Sequence, residues 1–245
     1  MFKTGNAIAL DLGKCGTSWL EAVLGECLTV RPSGIRHKGL DKRYQFGPSL
    51  LYTIVRNPYT YYVSHLTYSQ KTNGPLWNCV SADAGYKIKT VEQYVEEINV
   101  NRRKLPKLNH HNKEQAAWEN TDPSVGMQTM QYVLLADPEF ILTKKRTRKE
   151  IEDWYELNWW GDERMVALNN SKLEVEMYEL FSSHQPDFPL DPNWEELYTS
   201  IVERGVNQNV AKVQNLSHAD HHTEKSKQIV AEYEDILIKR FNYTI

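Results

Sequence analysis

Two short apolar runs, Ala7 to Leu12 and Leu50 to Val55, each give way at once to a turn-forming group and then to apolar residues at helical spacing. Runs of this length bounded by turn signals read as buried strands, so each is predicted to be a strand followed by a helix. The first turn is Gly13-Lys14-Cys15-Gly16-Thr17-Ser18, leading into Trp19-Leu20-Glu21-Ala22-Val23-Leu24. The second is Arg56-Asn57-Pro58, where Pro58 suits a first helical turn and Tyr59 to Ser69 supplies a dense aromatic and apolar helix. Between them, residues 28 to 50 carry Pro32, Gly34, Gly39, Gly47 and Pro48 and read as a short strand with loops.

Further along, residues 70 to 90 are turn-rich, Val91 to Val100 is predicted helical, and Asn101 to His111 reads as a basic loop with Pro106. Helical patterns return over Gly126 to Ala136 and Arg148 to Trp160. Met165 to Leu168 reads as a last short strand before a helix over Leu173 to Phe181. Pro186, Pro189 and Pro192 mark an irregular stretch, and a charged amphipathic helix, roughly Thr223 to Phe241, closes the chain. This alternation predicts an α/β fold. At 245 residues, one domain over 1–245 is expected, with an acceptor-binding insertion around 70–126.

A formal net charge of −3 argues against a general nucleic-acid or membrane-surface binder, so any anion site must be built locally. The first ten residues run straight into the Gly13 turn without a cleavage signal, and no span reaches membrane length. Three cysteines without CxxC spacing do not suggest a disulfide framework, and a cytoplasmic location is expected.

A loop between a buried strand and a helix N-terminus offers backbone N–H groups and the positive end of the helix dipole to an anion. Here Gly13 and Gly16 allow close approach, Thr17 and Ser18 add hydroxyls, and Lys14 adds a mobile charge. In the nucleotide-triphosphatase loop the Lys follows the last Gly, whereas Lys14 precedes Gly16. At the second strand end Arg56 stands where a metal-binding Asp is typical; it suits bidentate contact with a phosphate, and Ser64 lies eight residues on along one helix.

Lys14-Cys15-Gly16-Thr17-Ser18-Trp19-Leu20 resembles the 5′-phosphosulfate loop of PAPS-dependent sulfotransferases, and Arg56-Asn57-Pro58 with Ser64 is similar to their 3′-phosphate motif. Gln128-Thr129, Asn215-Leu216-Ser217 and the closing segment from Tyr233-Glu234-Asp235 to Tyr243 look like the tail of the carbohydrate type. Gly13 stands where the family often has Pro, and the Arg-Lys-Gly-x-x-Gly segment of the small-molecule branch is absent from the sequence. The resemblance implies a three-layer sandwich with a central, mostly parallel sheet, the P-loop-like sulfotransferase fold. It implies 3′-phosphoadenosine 5′-phosphosulfate (PAPS) as donor, the 3′,5′-bisphosphate (PAP) as product and no metal. Lys14, Cys15, Gly16, Thr17, Ser18, Trp19, Arg56 and Ser64 would hold the donor, and Lys14 would also act on the leaving group.

For the general base, His37 lies between the two motifs, in the segment where many sulfotransferases carry their catalytic His, and a His titrates near neutrality. Glu21, one turn into the first helix, is the reserve. Arg102, Arg103 and Lys104 could receive an anionic glycan acceptor. His110-His111 and His221-His222 lack companions at ligand spacing, so no zinc site is expected. The alternatives are a metal-dependent nucleoside kinase or triphosphatase, with Val133 to Asp137 as an Asp-ended strand, and a non-catalytic nucleotide-binding scaffold.

Overall fold

The computed structural model describes residues 2–34, 50–103, 112–158, 165–205 and 218–245. They fall into two compact units, one built from 1–56 with 155–210 and the other from 57–154 with 211–245. The described residues of the segment expected as an insertion, 70–103 and 112–126, belong to the second.

The first unit is α/β. Its open five-stranded sheet has the order β3-β1-β2-β4-β5, with β1 Phe2–Thr4, β2 Ala7–Leu10, β3 Ser33–Gly34, β4 Leu50–Val55 and β5 Met165–Asn169. The central strand β2 pairs in parallel with β4 (Leu10 opposite Thr53), and β4 pairs in parallel with β5 (Val55 opposite Asn169). β1 is antiparallel to both β2 and β3, so parallel pairing is confined to the β2-β4-β5 side. All four residues of β2 are buried, which is why its sequence shows a continuous apolar run rather than alternation. The apolar pattern predicts one strand, from Ala7; the chain adds β1 before it, and the two-residue turn Gly5-Asn6 joins the two as a hairpin.

α1 (Thr17–Cys27) follows β2 and buries Leu20, Val23, Leu24 and Cys27. α9 (Leu173–Ser183) follows β5, and α10 (Trp194–Glu203) comes after the three prolines. α10 lies beyond the stretch read as irregular, yet its buried Trp194, Tyr198 and Ile201 keep helical spacing. Phe181, Phe188, Trp194 and Tyr198 pack edge to face in one aromatic cluster. The proline segment is stitched down by main-chain bonds, Asn6 N–H to the Asp187 carbonyl and Thr29 N–H to the Pro189 carbonyl.

The described part of the second unit is helical. α2 (Pro58–Thr72) begins where expected, with Asn57 accepting from the Tyr59 N–H and Pro58 in the first turn. α3 (Pro75–Ala84) occupies the segment read as turn-rich; Pro75 opens it, and Gly85 ends it in the left-handed conformation. α4 (Val91–Val95) runs into a π-helical turn, Glu96–Val100. α5 (Asn112–Asn120), α6 (Met127–Ala136) and α7 (Pro138–Leu142) follow, and α8 (Arg148–Asn158) leads back to the first unit. All ten residues of α6 are buried.

The expected closing helix is two, α11 (Glu224–Tyr233) and α12 (Asp235–Phe241), interrupted at Glu234. The break lets the Glu234 side chain turn inward and cap α6. Its carboxylate accepts from the Gln128 N–H at 2.8 Å, the Thr129 N–H at 2.9 Å, the Thr129 hydroxyl at 2.6 Å and the Tyr62 hydroxyl. Burial raises the Glu234 carboxyl above its usual range, against the pull of these donors. Gly126 makes room for it, since a Cβ there would lie 2.4 Å from the Glu234 carboxyl. Gln128-Thr129 and Glu234, distant in sequence, are thus one buried unit. Among the described residues no helix is long and apolar enough to cross a membrane.

Candidate functional site

Parallel strands end on the same side of a sheet, and loops at their carboxyl ends are where open α/β sheets take ligands. In the first unit three such ends are neighbours: Asp11 to Gly16 after β2, Arg56 after β4, and Asn170 after β5.

The loop after β2 is shaped by two left-handed residues, Lys14 (φ 69°) and Gly16 (φ 110°). For Lys14 this conformation costs roughly 1–3 kcal/mol and persists only if neighbours hold it. They do. Arg56 Nη1 donates to the Lys14 carbonyl at 2.7 Å, Asn170 Nδ2 donates to the Cys15 carbonyl at 3.1 Å, and the Cys15 N–H reaches the Leu12 carbonyl at 3.3 Å. Gly16 is the N-cap of α1 and its carbonyl accepts the first helical bond, from the Leu20 N–H. A Cβ on Gly16 would stand 3.0 Å from Leu173 Cδ2 and 3.2 Å from Asn170 Nδ2, so a side chain there would crowd both neighbours as well as strain the left-handed backbone.

Lys14 and Arg56, expected from the sequence at two anion-binding strand ends, are therefore brought together. Burial, and secondarily the Arg56 guanidinium, lower the half-buried Lys14 ammonium from 10.5 to about 8.

Other expected residues fall differently. The Thr17 hydroxyl donates to the buried Asp11 carboxylate, so Thr17 offers an anion its backbone N–H rather than the hydroxyl proton the sequence suggested. Cys15 and Trp19 are buried; Trp19 meets Tyr198 edge to face at 6.0 Å, packing inside the unit instead of presenting a stacking face. Ser18 and Glu21 are half-buried on α1. Ser64 is half-buried on α2 in the second unit, about 9 Å along the helix from Pro58 at 1.5 Å per residue.

His37 and Lys104 lie outside the described residues, as do His110-His111, Trp159, Trp160 and Asn215-Leu216-Ser217. Arg102 is committed internally: it stacks 3.3 Å from the Trp118 ring centroid and donates to the carbonyls of Trp118, Thr121 and Val125. Arg103 pairs with Glu97 and lies 3.9 Å from Asp83. Two of the three residues expected to receive an acceptor thus hold the second unit together. Val133 to Asp137 is not an Asp-ended strand: Val133 to Ala136 closes the buried helix α6, and Asp137 caps α7 by accepting from the Phe140 N–H at 3.0 Å. His222 is buried between the Tyr59 carbonyl and the Ser226 hydroxyl, and burial lowers its pKa.

Asp11 and Asn170 are not predicted as site residues by the sequence pattern. The signal for Asn170 was the polar Asn169-Asn170-Ser171 directly after a predicted strand, which becomes site-forming only once β5 is known to lie beside β4.

No family model, curated protein or solved structure matches this chain.

The low Lys14 pKa gives a pH dependence with a definite sign. The ammonium holds an anion better than the free amine does, so affinity for sulfate, which stays dianionic throughout, should be flat below about pH 7 and fall as pH rises through about 8. Calorimetry from pH 6.5 to 9.5 checks this. Lys14→Arg, charged throughout, should flatten the profile, and an equally steep fall in that variant contradicts the assignment.

Proposed function

We propose that this chain transfers a sulfuryl group from PAPS to a hydroxyl acceptor, a carbohydrate rather than a small phenol, on a three-layer, P-loop-like sulfotransferase fold. The observation that carries the reading is the bond from Arg56 to the Lys14 carbonyl, which joins the two anion motifs at adjacent parallel strand ends. A 3′,5′-substituted nucleotide presents two separated anionic groups, and two cationic strand ends match it in number and sign.

The α1 N-terminus, with the N–H groups of Gly16, Thr17 and Ser18, holds the 5′-phosphate. Arg56 binds the 3′-phosphate. The acceptor oxygen attacks sulfur in line as the sulfur–oxygen bond to the 5′-phosphate breaks. The acceptor proton passes to a base, and the electron pair leaves on the phosphate oxygen of PAP. Lys14 stabilises that developing charge, while positioning supplies much of the remaining rate. His37 is the proposed base and Glu21 the reserve; Lys14 and Arg56 supply the positive charge, so the scheme needs no metal.

Incubation with ³⁵S-labelled PAPS and a panel of hydroxylated glycans tests the reading. Label should appear on a glycan in the presence of EDTA. Folded protein that transfers none, and instead binds ATP only with Mg²⁺, overturns it in favour of the kinase or triphosphatase class.

A further inference from the structure

Asn170 belongs to neither anion motif, yet it touches the loop at the position that decides where the loop's donors point. Its Nδ2 donates to the Cys15 carbonyl at 3.1 Å. Across a trans peptide the carbonyl and the following N–H point in opposite directions. Anchoring the Cys15 carbonyl on Asn170 therefore aims the Gly16 N–H away from β5. The neighbouring peptide follows the same logic: Arg56 holds the Lys14 carbonyl, and the Cys15 N–H on the opposite side bonds to Leu12. Successive peptides of the loop are thus set by side chains from two different strand ends. Gly16 leaves room for this contact, because a Cβ there would press against both Leu173 and the Asn170 amide.

Asn170 is itself placed by its surroundings. Asn169 accepts from the Ser171 N–H at 3.1 Å, and its own N–H is held by the Glu176 carboxylate, which fixes the turn from β5 towards α9.

We propose that Asn170 is a positioning residue for the 5′-phosphate end of the nucleotide, orienting the Gly16 N–H towards that phosphate while making no contact with the 3′-phosphate. The nucleotide part rests on the sulfotransferase reading; the positioning of the loop for an anion does not. An amide donor is needed, since a carboxylate in its place would repel the Cys15 carbonyl.

The test is a titration of ¹⁵N-labelled protein with adenosine 3′,5′-bisphosphate, adenosine 3′-monophosphate and sulfate, following the Gly16 amide, for wild type, Asn170→Ala and Asn170→Asp. The wild-type amide should shift with bisphosphate and with sulfate. Both variants should bind these two about five- to tenfold more weakly, with the Gly16 shift reduced and 3′-monophosphate affinity unchanged. An equal loss for the 3′-monophosphate, or no loss for bisphosphate and sulfate, overturns the proposal. So does a wild-type Gly16 amide indifferent to both anions. Sulfate binding that depends on Asn170, without any nucleotide binding, keeps the positioning role and removes the nucleotide reading.

Discussion

For the proposed sulfuryl transfer, Lys14→Ala should lower kcat by about 10²–10³-fold, roughly 3–4 kcal/mol of transition-state stabilisation, while PAP still binds. Charge builds on the leaving phosphate oxygen during the reaction, and a preorganised cation there acts more strongly in the transition state than in the ground state. The Lys14 backbone is left-handed and its carbonyl is gripped by Arg56, so the base of the side chain is fixed where the loop turns. Lys14→Gly separates charge from backbone, because glycine adopts φ 69° without strain. Both variants should lose activity to a similar extent. Steady-state kinetics with labelled PAPS read the effect, and activity within fivefold of wild type in either variant contradicts the role.

The second large effect is on stability. Glu234→Ala should destabilise the protein by about 3–5 kcal/mol, because four donors lose their buried acceptor at once. Two of these donors are first-turn N–H groups of α6, a helix buried along its whole length and therefore without water to replace the carboxylate. Gly126→Ala attacks the same contact from the other side by driving a Cβ into the Glu234 carboxyl. Urea unfolding followed by tryptophan fluorescence should show reduced midpoints for both. A Glu234→Ala loss under 1 kcal/mol would mean that the network is dispensable.

What could be read from the sequence was what local chemistry dictates. β4 and the start of α2 follow from an apolar run, a helix-capping Asn57 and a first-turn Pro58, all within ten residues. The loop at Gly13 to Ser18 was equally plain, because Gly16 stands where a left-handed cap is needed. The missed elements depend on distant partners or misleading punctuation. α3 lay between Gly74-Pro75 and Gly85, residues that read as turns but here start and stop a helix. α10 followed three prolines that drew attention away from its Trp194-Tyr198-Ile201 stripe. The break at Glu234 is invisible locally, since its cause is α6, about a hundred residues earlier.

The site divides in the same way. Lys14 and Arg56 were legible as charges at strand ends, and the parallel pairing of β2 with β4 makes them neighbours. The engagement of the Thr17 hydroxyl by Asp11, the inward packing of Trp19 and the internal use of Arg102 are tertiary facts. Spacing alone carries no trace of them.

The most direct measurement is calorimetry of adenosine 3′,5′-bisphosphate binding in EDTA, with the 3′- and 5′-monophosphates alongside and Arg56→Ala as the paired variant. One bisphosphate should bind per chain without divalent metal, each monophosphate at least tenfold more weakly, and Arg56→Ala should lose about 10–100-fold in affinity. No binding by folded protein, or binding that appears only when Mg²⁺ is added, contradicts it.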